Sequence, residues 1–124
     1  MQKIFIVEDD PLLMRMLERV FTQEHFQVEK ATDGADALAK LLTMDVLPSA
    51  VLMDVLLPVL SGMEVLKKIK ESERLKHVLV IILTNLSPDG QNIEKILAAG
   101  ATECILKTQY TPSEVVQKVR SLIS

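Results

Sequence analysis

Apolar residues in this chain come in two rhythms. Short unbroken runs, KIFIV (3–7), AVLM (50–53), VLVIIL (78–83) and CIL (104–106), alternate with longer stretches in which apolar residues recur at helical spacing. Runs of Val, Ile and Leu without alternation are the pattern of strands covered on both faces by helices. FQVEKA (26–31) is more polar and reads as a further strand. Strand and helix patterns alternate along the whole length, which predicts five βα units and leaves no room for a linker, a repeat or a low-complexity segment.

Local signals mark the helix starts. Asp10-Pro11 places a capping acid before proline at the first helical position, and Leu13, Leu17, Val20 and Phe21 follow as one apolar stripe. Thr32-Asp33-Gly34 is a turn that opens a second helix through Ala37, Leu38, Leu41 and Leu42. Pro58 breaks the chain, and Ser61 with Glu64 forms a capping-box pattern ahead of Val65, Leu66 and Ile69. Ser87-Pro88 opens the fourth helix, Gly90 weakens its first turns, and Gly100 is placed to end it in a left-handed conformation. Thr111, Pro112 and Glu114 open the last helix, with Val115, Val116, Val119 and Leu122 facing inward.

The polar residues that end the apolar runs carry the chemistry. The first run leads into Glu8-Asp9-Asp10, the next into Asp54, and the last two into Thr84 and Lys107. Asp10 is assigned to the helix cap, which leaves Glu8 and Asp9 as the acid pair. In an open α/β sheet, ligands bind outside the carboxyl ends of the strands, so these groups are expected at one crevice. One possible winding, the flavodoxin-like order 2-1-3-4-5, makes strands one and three neighbours and brings Glu8, Asp9 and Asp54 together. Two like charges about 4 Å apart repel by roughly 4 kcal/mol at an effective dielectric near 20. Clustered carboxylates therefore call for a cation, and hard oxygen ligands with room for phosphate oxygens suit Mg²⁺.

Composition narrows the class. A chain of 124 residues fits one domain, 1–124, where about 100 to 200 residues per domain is usual. The net charge of −3 disfavours direct nucleic-acid binding, which relies on many cations meeting phosphates. A single cysteine forms no internal disulfide, and no signal-peptide pattern opens the chain, so a cytoplasmic setting is expected. Every apolar run falls short of the roughly 18 residues of a membrane span. The acids of the first loop would repel a flavin phosphate, and the Ser-centred elbow of hydrolases is absent.

Taken in order, Val7-Glu8-Asp9-Asp10-Pro11, Asp54-Val55-Leu56-Leu57-Pro58 with Ser61-Gly62-Met63-Glu64, Thr84, and Gly100-Ala101 leading to Lys107 span the entire chain. This set resembles the receiver domain of the two-component response regulators. The resemblance implies a three-layer α/β fold with a five-stranded parallel sheet, and the strand order 2-1-3-4-5 comes with it rather than from the runs themselves. It implies that Asp54 accepts a phosphoryl group from a histidine kinase, a phosphotransfer protein or a small phosphodonor. Asp9 would bind Mg²⁺ directly, Glu8 through water, and the Leu56 carbonyl would complete the protein's ligands beside Asp54. Lys107 and Thr84 would meet phosphoryl oxygens, and Thr84 would move with the modified state. Kinase docking is implied at the first helix, where Arg15 and Arg19 accompany apolar residues. Output to a protein target, whose identity the sequence leaves open, is implied at the fourth and fifth helices and the strand between them.

Three positions depart from the common pattern of that family. Cys104 stands where an aromatic residue is usual and reads as a packing residue. Thr108 replaces a proline, so a cis bond is not assumed there. Asn85 replaces a small residue, and its amide either crowds the entrance or contacts the phosphoryl group. Leu56 and Leu86 flank the implied path of attacking water and cannot orient it, which predicts slow loss of phosphate. The basic stretch of Lys67, Lys68, Lys70, Arg74 and Lys76 reads as a solvated face, and His25 and His77 are too isolated for a transition-metal site. A second reading stays open, that of a receiver-like interaction module working without phosphorylation.

Overall fold

A computed structural model of the chain describes residues 2–85 and 91–123. Five strands, β1 (Lys3–Val7), β2 (Gln27–Ala31), β3 (Ala50–Met53), β4 (Leu79–Thr84) and β5 (Glu103–Leu106), alternate with helices α1 (Pro11–Gln23), α2 (Gly34–Thr43), α3 (Gly62–Glu71), α4 (Gln91–Ala98) and α5 (Pro112–Ile123). The strands are parallel in the order β2-β1-β3-β4-β5. The fold class expected from the sequence is therefore observed.

Successive residues of the central strands face opposite layers, because side chains alternate across a strand. Phe5, Val7, Val51, Met53, Val80 and Ile82 pack under α2, α3 and α4, against Leu41, Leu66, Ile69 and Ile96. Ile4, Ile6, Ala50, Leu52, Ile81 and Leu83 pack under α1 and α5, against Leu17, Phe21, Val115 and Val119. Every residue of β3, and of β1 after Lys3, is buried on whichever face it points to, which explains their unbroken apolar runs. Edge strand β2 is partly exposed and correspondingly mixed in composition. Phe26, which precedes it, is buried edge-to-face on Phe21 at 5.2 Å, with the Arg120 guanidinium 5.8 Å above its ring.

The helix starts follow their local signals. Asp10 accepts N–H bonds from Leu12 and Leu13, and Asp33 accepts one from Asp36. Ser61 Oγ accepts from the Glu64 N–H at 3.3 Å. Thr111 and Glu114 complete both halves of a capping box, at 2.9 and 3.2 Å. Gly100 has φ 112° after α4, as its placement predicted. Leu86, Ser87, Pro88 and Gly90, on which the fourth cap and part of the water-path reading rest, lie outside the described residues.

Two details differ from the sequence reading. Met14 takes a buried position on α1 that the predicted stripe gave to its neighbours, while Leu13 and Val20 sit at the edge of the core. Arg74 is not simply part of a solvated face. Its guanidinium donates to the carbonyls of Leu41 (3.0 Å), Met44 and Asp45 (3.4 Å). Those carbonyls lie at the end of α2, where a helix leaves acceptors without partners inside its own turn.

Candidate acidic site

The carboxyl ends of β1, β3 and β5 bring three acids and one amine to a single crevice. Asp54 leaves β3 next to β1, its N–H bonded to the Val7 carbonyl at 3.2 Å. Because β1 and β3 pair directly, Glu8 and Asp9 open beside it. One carboxylate oxygen from each of Glu8, Asp9 and Asp54 lies within 4.8 Å of the others, the one such group of possible metal ligands among the described residues. Lys107 enters from β5, its own N–H bonded to the Thr84 carbonyl at 2.8 Å. Its ammonium reaches Asp54 Oδ2 at 2.7 Å and Glu8 Oε1 at 2.8 Å.

Each Asp54 oxygen has a separate role. Oδ1 accepts the Leu56 N–H at 3.1 Å and so fixes the turn that leaves the strand, while Oδ2 faces Lys107. Gly62 is required behind this turn, since a Cβ there would stand 2.1 Å from the Asp54 carbonyl oxygen. Glu8 Oε2 accepts the Asp10 N–H at 3.1 Å. Glu8 is 2% exposed and Asp54 7%, whereas Asp9 lies open to solvent. A buried pair with an exposed third acid makes a cleft that opens at one side.

Electrostatics in the cleft are unbalanced. Burial pushes the Glu8 carboxyl above its ordinary pKa, against the pull of Lys107 and the Asp10 N–H. Burial also works against the Lys107 ammonium, but its bonds to Asp54 and Glu8 prevail and hold it above the ordinary lysine value. One ammonium faces three carboxylates, so negative charge remains unmatched. The donor set is all oxygen, acidic and open on one side, which fits a hydrated Mg²⁺ ion.

A family model described as the response regulator receiver domain matches residues 4–120. The chain belongs to the response regulator receiver family. Among curated relatives, the response regulator PleD of Caulobacter vibrioides is 33% identical over 105 residues, 85% of this chain and 22% of that protein. A transcriptional regulatory protein, the CpxR homolog of Haemophilus influenzae, is 33% identical over 99% of this chain and 51% of its own length. The receiver thus spans from about a fifth to about half of these relatives. Among solved structures, the chemotaxis response regulator CheY4 of Vibrio cholerae superposes with a TM-score of 0.86 at 27% identity, covering 98% of both chains. The receiver domain of the sensor histidine kinase PA1611 from Pseudomonas aeruginosa gives 0.85 at 28% identity, covering 98% of this chain and 97% of that one. That structure holds a magnesium ion coordinated in its active-site cleft.

Of the other predicted site residues, Thr84, Asn85 and Leu56 fall at the same edge of the receiver, while Cys104 lies within β5. Thr84 is fully buried at the end of β4 and Asn85 is exposed just beyond it. Leu56 is 63% exposed, turned away from the core. Cys104 sits half-buried on β5 against the α2–α4 layer of the core. Burial, then neighbouring Glu103, pushes its thiol pKa up, which lowers the reactive thiolate fraction and agrees with a packing role. No cis peptide bond occurs among the described residues, so the Lys107–Thr108 corner is trans. No helix among the described residues is long and apolar enough to cross a membrane. Sequence reasoning overlooked Val59, which follows Pro58 at φ 70° with 82% of its surface exposed. No signal marks it in advance, because a β-branched residue is among the least expected at positive φ.

Proposed function

We propose that this receiver is the phosphoacceptor of a two-component relay. Asp54 takes a phosphoryl group from a phosphohistidine of a histidine kinase or phosphotransfer protein, in a magnesium-dependent step, and the modified state changes partner binding. The observation that carries this reading is the Asp54 carboxylate itself: buried at a strand end, within reach of two further acids, and 2.7 Å from an ammonium.

Glu8, Asp9, Asp54 and the Leu56 carbonyl are assigned to hold the ion. When bound, Mg²⁺ supplies positive charge that offsets the acids and draws phosphoryl oxygens into line. The chain's own groups do the rest. The Leu56 N–H holds Oδ1 and so aims Oδ2 at the incoming phosphorus. A P–O bond forms at Asp54 as the donor's P–N bond breaks, with the electron pair leaving on the imidazole. Lys107 carries three donors on a flexible stem, so its ammonium passes from the carboxylate to a phosphoryl oxygen. Thr84 donates its hydroxyl to another, and Asn85 contacts the group from the open side. Leu12 and Met16 are exposed on α1 beside Arg15 and Arg19, and this face is assigned to the kinase. The face of α4, β5 and α5 is assigned to the downstream protein.

Incubation with Mg²⁺ and a small acyl phosphate, followed by intact-mass measurement, tests the reading. One added phosphoryl group on the wild type and none on Asp54→Asn is the expected result. A folded wild type that stays unmodified would instead favour the phosphorylation-independent interaction module.

A further inference from the structure

The loop after Asp54 is held from outside by the start of α2. The Pro58 carbonyl accepts two N–H groups, from Leu60 at 2.8 Å and from Gly34 at 3.3 Å. The first bond closes around Val59 at φ 70°, the strained form of γ-turn. The second comes from the first residue of α2, where an N–H has no partner within its own helix. Backbone touches backbone at this point. A Cβ on Gly34 would lie 1.8 Å from the Leu60 carbonyl oxygen and 2.7 Å from its carbon. Any side chain at position 34 therefore has to push the turn away.

The direction of that push is set by the surroundings. Leu56, Pro58 and Val59 are exposed, whereas Leu57 and Leu60 rest against the core, so the turn moves outward by loosening only those two partly buried side chains. At its far end the loop is pinned where the Gly62 N–H meets the Val55 carbonyl at 2.8 Å. Displacement is then absorbed between 55 and 60. That segment includes the Leu56 N–H bonded to Asp54 Oδ1 and the Leu56 carbonyl assigned to the ion.

We propose that Gly34 is a positioning residue for the acidic site: by lacking a side chain it seats the 58–60 turn, and the turn sets how Leu56 addresses Asp54 and the cation. The proposal rests on the phosphoacceptor reading for its consequence, and on the metal-free protein for its geometry.

Gly34→Ala and Val59→Gly, each in the whole chain, test it by three measurements. These are the Leu56 amide resonance in metal-free buffer, magnesium affinity by titration, and the rate of phosphorylation by an acyl phosphate. Gly34→Ala is expected to shift the Leu56 resonance while amides of the central strands keep theirs. Magnesium affinity should fall roughly tenfold, as when a partner that orients a ligand is lost. Phosphorylation should slow by roughly tenfold or more, since misplacing a reacting group by about 1 Å can cost up to about a hundredfold. A folded Gly34→Ala with lower stability but wild-type resonance and magnesium affinity would overturn the proposal and leave an ordinary glycine at a helix start. If that variant does not fold, Val59→Gly decides, because it frees the centre of the turn without adding an atom. A shifted Leu56 resonance with weaker magnesium binding supports the proposal, and wild-type values for both overturn it. Should the wild type itself take up neither magnesium nor phosphate, the phosphoacceptor reading fails, and the metal-free resonances still decide the role of Gly34.

Discussion

Lys107 is shared by two buried carboxylates at nearly equal distance, which makes it the most consequential side chain in the cleft. Removing one partner of a buried ion pair leaves uncompensated charge, and such truncations cost about 3 to 5 kcal/mol. Lys107→Ala is therefore expected to lose about 3 kcal/mol in urea denaturation without metal, with magnesium restoring part of the loss. An undiminished midpoint would show that solvent already compensates these acids. Leu56 acts in the opposite sense, by what it lacks. Its side chain is exposed beside Asp54 and offers no hydrogen bond to a water approaching an acyl phosphate. Leu56→Asn supplies an amide there and is expected to shorten the phosphoryl lifetime about tenfold, followed as decay of the phosphorylated mass. Equal lifetimes would remove the water-path argument. Val59 stores strain instead of chemistry. A left-handed conformation costs an L-residue roughly 1 to 2 kcal/mol, less for Asn. Since 82% of Val59 is exposed, little packing is lost in Val59→Asn, and stability should rise by about 1 kcal/mol. A loss in the same urea experiment would mean that the valine is held by contacts worth more than its strain.

Elements were legible in the sequence where the cause is local. The runs that became β1, β3 and β4 are apolar because both faces of those strands are covered, and the pattern needs nothing beyond its own residues. Caps were legible for the same reason, as Asp10, Asp33 and Thr111 each bond an N–H two or three residues ahead. What the sequence hid depends on distant partners. The approach of Gly34 to Leu60, and the hold of Arg74 on the last carbonyls of α2, exist only once two βα units have packed together. The α5 cap also carries a pH dependence. Bonds from the Thr111 backbone N–H and side chain hold the Glu114 carboxyl below its ordinary pKa. A lowered native pKa stabilises above the unfolded value, and that contribution fades as pH falls through the native one. The melting temperature of Glu114→Ala should therefore lie below that of the wild type at neutral pH, and the two should converge as pH falls through and below the ordinary carboxylate range. A gap that stays constant through acid would assign the effect to helix propensity rather than to the ionised cap.

At the scale of the whole molecule, the order β2-β1-β3-β4-β5 turns residues remote along the chain into neighbours. The strand ends were legible as chemistry because each apolar run stops at a polar residue, but their convergence was a property of winding and came through the family resemblance. The fold accepts mutual repulsion among Glu8, Asp9 and Asp54 in its metal-free form, relieved only in part by Lys107. A divalent ion that binds this arrangement has no equivalent site in the unfolded chain, where the acids are dispersed. Binding must then stabilise the native state by mass action, by about 2.7 kcal/mol at a hundredfold excess over the dissociation constant. For a domain of this size each kcal/mol moves the melting temperature by about 4 °C, so saturating magnesium should raise it by about 10 °C. The rise should shrink in Asp9→Asn, which removes the exposed acid and leaves the buried pair, and shrink further in Asp54→Asn. Potassium or sodium at matched ionic strength should give far less, because screening acts on all surface charges and not on one cluster. Equal shifts in all three proteins would mean that magnesium acts through general screening, and that the three acids meet in space without forming an ion site.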